Sequence, residues 1–295
     1  MTTPQPTNGR DKAARISRRV LLGGAASMAI PGLVRASEVL RLGITPVFLD
    51  NDAAILSALQ SALSISLGRD VSFQQRRTYE EVTGLLLEGS VDAAWLCGYP
   101  YLQHQERLQL LAVPLWNGQP RYQSYLIVHE GDTAEGLPDL RGGVHAFSDP
   151  DSNSGFLVTA SDLAEMGERP DDFFARTIFT FGHRNVVRAV SDGLVRSGSV
   201  DGYVWESLAV VEPALVARTR IVSRSEWLGF PPFCARRGDS ISSEASALTE
   251  ALTGLDQTET GRIALRALLL DGMTRGSPEL FDGIARRMRI LAALR

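Results

Sequence analysis

Short apolar runs alternate with amphipathic segments along most of this chain, beginning near residue 39. The run at 39–44 predicts a strand, and apolar residues at helical spacing across 52–67 predict a helix. This alternation continues to about residue 129 and resumes after a polar stretch at 131–138. Such alternation is typical of mostly parallel sheets covered by helices on both faces, so the pattern predicts an α/β protein.

The polar stretch divides two alternating series, which suggests a second lobe inserted into the first. In the second series, we predict a strand at 201–204 that leads into a helix from 207. The segment 242–295 is predicted to be helical throughout and to pack back on the first lobe. We therefore expect two hinge crossings and two doubly wound lobes, with lobe 1 at 37–130 and 219–295 and lobe 2 at 131–218. Because ligands of open α/β sheets bind beyond the carboxyl ends of the strands, we expect a ligand cleft between the lobes.

Residues 1–36 have the features of an export signal. Arg18 and Arg19 stand directly before a weakly apolar run, and Val34-Arg35-Ala36 fits a small-x-small cleavage site. The paired arginines predict the twin-arginine route. A membrane anchor is the alternative, but a run of about twelve apolar residues is too short to span a bilayer. We therefore expect a mature, soluble, monomeric protein in the periplasm.

Charge and cysteine usage narrow the function classes. Without residues 1–36 the chain keeps 24 basic and 33 acidic residues, a net charge of −9, which argues against a nucleic-acid partner. Cys97 and Cys234 are either paired in the oxidising periplasm or simply buried. No clustered cysteine and histidine, nucleophile elbow or phosphate-binding loop is present in the sequence. We therefore expect no metal site, no cofactor and no enzyme activity.

One turn offers anion-binding chemistry. The stretch 147–157, Phe-Ser-Asp-Pro-Asp-Ser-Asn-Ser-Gly-Phe-Leu, leaves a strand and opens a helix. Unpaired N–H groups at the helix start, beside the hydroxyls of Ser152 and Ser154, suit a tetrahedral oxyanion. The alternative is a turn that only caps its helix.

Further polar and aromatic side chains follow other predicted strands. His183 either donates to an anion or caps its own helix. Asp201 either accepts from a protonated ligand oxygen or an amine, or binds backbone N–H groups in a loop. Tyr99, Tyr101 and Trp205 are either core or cleft aromatics.

A series of segments follows the order and spacing of one known family: Tyr79 in Thr-Tyr-Glu-Glu, 91–96 with Gly98 and Tyr101, 122–128, 139–143, 147–150 with 152–155, Gly182-His183 and Val200-Asp201. Over nearly all of the mature chain, the sequence resembles the periplasmic phosphate/phosphonate-binding proteins. These form the PhnD-like branch of the type 2 solute-binding proteins.

The resemblance implies a two-lobed fold that captures a small oxyanion, such as phosphate, phosphite or a phosphonate, for an ABC importer. It also implies that Ser152 and Asn153 hold the oxyanion with adjacent N–H groups. By the same resemblance Tyr79, Tyr101 and His183 would donate hydrogen bonds and Asp201 would accept one. Together with the residues that follow other predicted strand ends, the predicted ligand-binding set is Tyr79, Cys97, Tyr99, Tyr101, Ser152, Asn153, Ser154, His183, Asp201 and Trp205.

Three departures from the family pattern leave the ligand open. Asn153 stands where the family has Ser or Thr, His183 lacks the usual preceding serine, and Cys97 and Trp205 bring a thiol and a bulky ring. An alternative is a ligand sensor for a histidine kinase that binds a thiophilic oxyanion such as arsenite through Cys97, since a thiolate is a soft ligand.

Overall fold

The computed structural model describes residues 1–3, 39–45, 53–238 and 242–294. Apart from residues 1–3, the predicted export signal lies outside the described residues. In the part of the chain that is described, no helix is both long enough and apolar enough to cross a membrane.

Strands and helices alternate as the hydrophobic pattern predicts. The strands are β1 (Leu40–Ile44), β2 (Val71–Gln75), β3 (Ala93–Trp95), β4 (Leu108–Leu115), β5 (Arg121–Tyr122), β6 (Ser124–His129), β7 (Val144–Phe147), β8 (Arg176–Phe179), β9 (Ser197–Asp201), β10 (Thr219–Arg224), β11 (Leu228–Gly229), β12 (Phe233–Arg236) and β13 (Gly272–Arg275). The α-helices are α1 (Ala53–Leu67), α2 (Tyr79–Glu88), α3 (Gly98–Gln103), α4 (Val158–Glu165), α5 (Pro170–Phe173), α6 (His183–Ser191), α7 (Gly202–Val211), α8 (Pro213–Val216), α9 (Ser242–Thr253), α10 (Glu259–Leu268) and α11 (Asp282–Ala293).

The first sheet has six strands in the order β13-β4-β12-β3-β1-β2. Strand β1 pairs in parallel with β2 and β3, whereas β12 and β13 run antiparallel to β4. Leu40, Leu42 and Ile44 of β1 are buried on one face and Gly43 on the other, and helices α2 and α9 pack on strands of this sheet. Burial on both faces is typical of a parallel strand in an α/β protein.

The second sheet has five strands in the order β10-β6-β9-β7-β8. Strand β7 pairs in parallel with β8 and β9, while β6 runs antiparallel to both β9 and β10. Both sheets are therefore mixed rather than mostly parallel. The predicted boundaries at 130 and 218 place residues 124–129 and 219–224 in lobe 1. In the structure these residues form β6 and β10, which belong to the second sheet.

The two chain crossings between the sheets pair with each other. Strand β5 and strand β11 form a two-stranded antiparallel ribbon, with Leu228 opposite Tyr122 and Gly229 opposite Arg121. Each crossing contributes two paired residues to this narrow connection, which we call the hinge ribbon.

Two predicted segments differ from the structure. The strand predicted at 201–204 ends at Asp201, because this carboxylate accepts from the Val204 N–H and caps α7. The segment 242–295 is not helical throughout, since 272–275 forms β13 on the edge of the first sheet. A four-residue strand with one large apolar side chain, Met273, leaves almost no periodic signal.

The last helix, α11, contacts parts of both lobes rather than packing on the first alone. It packs on α4, which follows the second sheet, as well as on α3 and β11. Its buried Arg287 donates to the Val158 carbonyl at 3.2 Å and to Asp162 at 2.6 Å, and pairs with Glu226 beside β11. This guanidinium therefore joins the second lobe to the crossing segment.

Replacing Arg287 with Ala is expected to lower the free energy of unfolding by about 2 kcal/mol, measured by urea denaturation. Loss of the guanidinium leaves Asp162 without its ion-pair partner and Glu226 with Arg286 alone. The value is moderate because both carboxylates are partly exposed. The control is Arg286→Ala, which removes an exposed ion pair to the same Glu226 and should cost under about 1 kcal/mol. Equal effects of the two variants would contradict the assigned role.

Candidate functional site

Polar side chains from both sheets meet in a buried cluster beside the hinge ribbon. Each member is at most 2% exposed, so water is excluded from the group in this conformation. We call this set the cleft cluster; its members are Tyr79, Cys97, Tyr122, Ser148, Asp149, Asn153, His183 and Asp201.

His183 at the start of α6 has a fixed proton arrangement. The backbone N–H of Asp201 donates to His183 Nδ1 at 3.1 Å, so Nδ1 carries no proton. The neutral ring then holds its proton on Nε2, which lies 3.2 Å from the Tyr79 hydroxyl oxygen and donates to it. Burial lowers the pKa of His183 to about 3, so the ring stays neutral at physiological pH.

This arrangement leaves the hydroxyl hydrogen of Tyr79 available to another acceptor. Tyr79 cannot donate to His183, because the ring nitrogen it faces is the one that is protonated. Burial, followed by the charges of nearby acidic groups, raises the pKa of Tyr79 well above its usual value. The phenol therefore remains a donor across the physiological range.

Asp201 closes strand β9 and caps helix α7. Its carboxylate accepts from the Val204 N–H at 3.3 Å, while burial raises the pKa of the carboxyl to about 7. At neutral pH the group is balanced between accepting and donating a hydrogen bond.

Cys97 and Tyr122 meet Asn153 across the cleft. The Asn153 N–H donates to the Cys97 sulfur at 3.3 Å, and the Asn153 side-chain amide donates to the Tyr122 oxygen at 2.9 Å. Burial raises the pKa of Cys97 to about 12, so it is a thiol rather than a thiolate. Cys97 and Cys234 are both free and buried, so the disulfide that the sequence left open is not formed.

Two polar atoms of the cleft cluster have no hydrogen-bond partner in the described structure: Ser148 Oγ and Asn153 Oδ1. Ser148 lies close to Gly155 and His183, since a Cβ at position 155 would be 1.8 Å from Ser148 Oγ and 3.0 Å from His183 Cε1. Gly155 is therefore the residue that lets the turn approach the cluster. Buried polar atoms without partners are rare in folded proteins, and these two face a set of further polar groups.

Asp149 connects the turn to the first lobe. One carboxylate oxygen accepts from the Tyr79 N–H at 3.2 Å, at the start of α2, and the other accepts from the Asp151 N–H at 2.8 Å. Burial raises the pKa of Asp149. The carboxylate thus faces the positive end of the α2 dipole across the cleft.

Ser152 makes a structural contact in the turn, whereas Ser154 also hydrogen-bonds Tyr122 of the cleft cluster through its side chain. Ser152 caps the π-type turn Asn153–Leu157 by accepting from the Gly155 N–H at 2.9 Å, and the Ser154 carbonyl accepts from Ser124 at 2.6 Å. Ser152 therefore caps the helix that the turn opens, as one of the two predictions for this turn states. Asn153 instead belongs to the cleft cluster.

Three predicted aromatics lie elsewhere. The Tyr101 ring packs on Phe281 at 5.1 Å, and the Trp205 ring packs on Tyr125 and donates from its indole to Thr219 at 3.1 Å. The Tyr99 side chain lines a separate cavity of about 330 Å³ with Phe147 and Phe156, although its backbone N–H donates to Cys97. None of these three rings belongs to the cleft cluster.

Three members of the cleft cluster were missing from the predicted site. Ser148 and Asp149 directly follow strand β7, so the rule that located Asp201 also applies to them. Tyr122 lies on the hinge ribbon, where two paired residues give no periodic signal.

The model of one protein family, described as ABC transporter, phosphonate, periplasmic substrate-binding protein, matches residues 42–281. The chain belongs to this family. The resemblance seen in the sequence is thereby confirmed, and the family is one of periplasmic substrate-binding proteins rather than enzymes.

Solved structures agree with this family fold. A binding protein component of an ABC phosphonate transporter (PA3383) from Pseudomonas aeruginosa has a TM-score of 0.79 and 18% identity, with 87% of this chain and 89% of that chain covered. PhnD1 from Prochlorococcus marinus in complex with methylphosphonate has a TM-score of 0.75 and 17% identity, with 86% of this chain and 98% of that chain covered. No curated protein matches this binding protein. The two-lobed α/β fold of type 2 periplasmic binding proteins is confirmed.

Replacing Asp201 with Asn is expected to change how stability depends on pH. Between pH 3.8 and about 7 the unfolded chain releases this proton while the folded protein keeps it, so the Asp201 contribution to stability is lost as pH rises. Asn keeps the helix cap without titrating. The variant should gain up to about 4 kcal/mol relative to the native protein between pH 4 and pH 7.5, measured by urea denaturation. If the difference in unfolding free energy between the variant and the native protein stays constant over this pH range, the raised pKa of Asp201 is contradicted.

Proposed function

We propose that this protein captures a small, singly protonated oxyanion of the phosphonate or phosphate type in the cleft cluster and delivers it to an ABC permease. The observation that carries the proposal is the set of available polar groups: the hydrogen of the Tyr79 hydroxyl, Ser148 Oγ and Asn153 Oδ1. These groups lie in a buried cluster that both sheets contribute to.

The charge of the cleft cluster favours a singly protonated ligand. None of its eight members is a cation, because His183 is neutral, and two members are acids. A fully ionised oxyanion would face Asp201 without a compensating positive side chain. A ligand that carries one hydroxyl can donate to Asp201 or Asn153 and accept from Tyr79 and Ser148.

The position of the cluster beside the hinge supports binding by closure. Tyr79, Cys97 and Tyr122 lie on one side, and each bonds a residue that follows a strand of the second sheet. A ligand held by both sides would stabilise the closed arrangement of the lobes.

A sensor for a histidine kinase has less support. A histidine kinase sensor domain with similarity to periplasmic binding proteins has a TM-score of 0.56 and 17% identity, over 80% of this chain and 99% of that chain, which shows the fold alone. Capture of arsenite through Cys97 would require a thiolate, and burial raises the pKa of this thiol to about 12.

Replacing Tyr79 with Phe is expected to weaken binding of methylphosphonate or phosphate about tenfold or more, measured by isothermal titration calorimetry. The variant keeps the ring but loses the hydroxyl that donates to a charged ligand. Tyr101→Phe is the matched control, since Tyr101 packs on Phe281 outside the cleft cluster, and its affinity should stay unchanged. Unchanged affinity of the Tyr79 variant, or no binding of either anion to the native protein, would overturn the proposal.

We also propose that residues 1–36 direct export by the twin-arginine route. Replacing Arg18 and Arg19 together with Lys should retain the precursor in the cytoplasm, because the route depends on the arginine pair rather than on positive charge. The measurement is immunodetection of the chain in periplasmic and cytoplasmic fractions. The control, Arg10→Lys with Arg15→Lys, should be exported normally, and normal export of the first variant would contradict the route.

A further inference from the structure

A second cavity, of about 500 Å³, lies beside the hinge ribbon, and none of its lining residues belongs to the cleft cluster. Its walls come from the end of β4, the start of β6, helix α7 and the segment before β11. Aromatic, acidic and amide side chains line it, namely Trp116, Asn117, Gln123, Tyr125, Glu206 and Trp227.

Three aromatic rings form much of the wall. Trp116 and Trp227 lie with ring centroids 6.2 Å apart and planes inclined by 50°, so their faces form a corner rather than a stack. Trp227 is 41% exposed, whereas tryptophan side chains in folded proteins are on average largely buried. Exposed tryptophan faces attract cations more strongly than any other aromatic side chain does.

The charge in this cavity is negative. Glu206 on α7 is held in place by the Tyr125 hydroxyl, which donates to its carboxylate at 3.1 Å. No Arg or Lys is among the described lining residues. Arg224 lies over the Tyr125 ring at 4.9 Å from the centroid and hydrogen-bonds the Tyr125 hydroxyl. This guanidinium is exposed to solvent, which screens its charge, and among the described ion pairs it forms none with Glu206.

The floor of the cavity is conformationally fixed. Asn117 and Gly118 form a tight turn with φ values of 52° and 72°, and the flanking Trp116 and Gln119 are bridged. Leu269, also in the lining, adopts φ 54°, a conformation that a branched apolar side chain rarely takes. Such residues persist where the surrounding structure holds them firmly.

We propose that this cavity binds an organic cation of the quaternary ammonium class, with the cationic head against Trp116 and Trp227 and its charge balanced by Glu206. Such a head is poorly hydrated and large enough to contact two ring faces at once. The carboxylate, already oriented by Tyr125, requires little rearrangement on binding. This site is separate from the oxyanion cleft and does not depend on the function proposed for it.

The cavity and the cleft cluster share structural elements. Helix α7 begins after Asp201 and carries Glu206 about 7.5 Å further along its axis. A row of ring contacts runs from Tyr122 through Phe230 and Tyr203 to Trp116. A cation in the cavity therefore contacts the same elements that position the cleft.

The test is calorimetric titration of the full mature chain with choline, compared with its neutral isostere 3,3-dimethylbutan-1-ol. Choline is expected to bind with a dissociation constant below about 1 mM and the isostere at least about tenfold more weakly. Glu206→Gln removes the charge, and Trp227→Ala removes an exposed ring face without emptying the core. Each variant should weaken choline binding about tenfold, while the control Glu130→Gln, an exposed acid outside the cavity, should leave it unchanged.

Equal binding of choline and its isostere would show only an apolar pocket and would overturn the proposal, as would no binding of choline. Unchanged affinity of both variants would place the cation elsewhere and would also overturn it. Titration of methylphosphonate into the same variants separates the two sites, because Glu206→Gln should leave oxyanion affinity within about twofold while Tyr79→Phe should leave choline affinity unchanged.

Discussion

The hydrogen bond from the Asp201 amide to His183 Nδ1 determines the proton arrangement of the whole cleft cluster. It keeps Nδ1 unprotonated, fixes the ring proton on Nε2, and turns the Tyr79 hydroxyl hydrogen away from the ring. Protonation of the ring would place an Nδ1–H group against the Asp201 backbone N–H. This repulsion lowers the pKa of His183 in the same direction as burial does. In this conformation His183 positions the Tyr79 hydroxyl, whereas the sequence left open whether His183 donates to an anion or caps its own helix.

The second constraint is the narrow connection between the sheets. Among the described strands, the two crossings pair with each other through β5 and β11. Arg287 on α11 also joins the second lobe to the segment before β11, and the Tyr203 hydroxyl on α7 donates to the Leu268 carbonyl on α10. Because the polar groups at the strand ends are bonded to each other across the cleft, the two lobes act as one packed unit in this conformation. The architecture thus combines a narrow connection with a buried polar interface between the sheets.

Much of this could be predicted from the sequence because strand ends follow a general rule. Tyr79, Asn153, His183 and Asp201 all follow or close a strand, and all four lie in the cleft cluster. The rule does not predict which face of a short helix points into the cleft. The six-residue helix α3 therefore could not be oriented from the sequence, and its Tyr101 packs on Phe281. Tyr122 was missed for another reason, since a two-residue strand carries no periodicity.

The direct bonds across the cleft have a thermodynamic consequence for any ligand. An entering oxyanion exchanges partners with groups that already satisfy one another, such as the Asn153 N–H on Cys97 and the Asn153 amide on Tyr122. Bonds that are only exchanged largely cancel in enthalpy, so the net gain comes from groups that had no partner before, the Tyr79 hydroxyl hydrogen, Ser148 Oγ and Asn153 Oδ1. Discrimination between anions should therefore come from how completely each one replaces the bonds it breaks and engages these three groups.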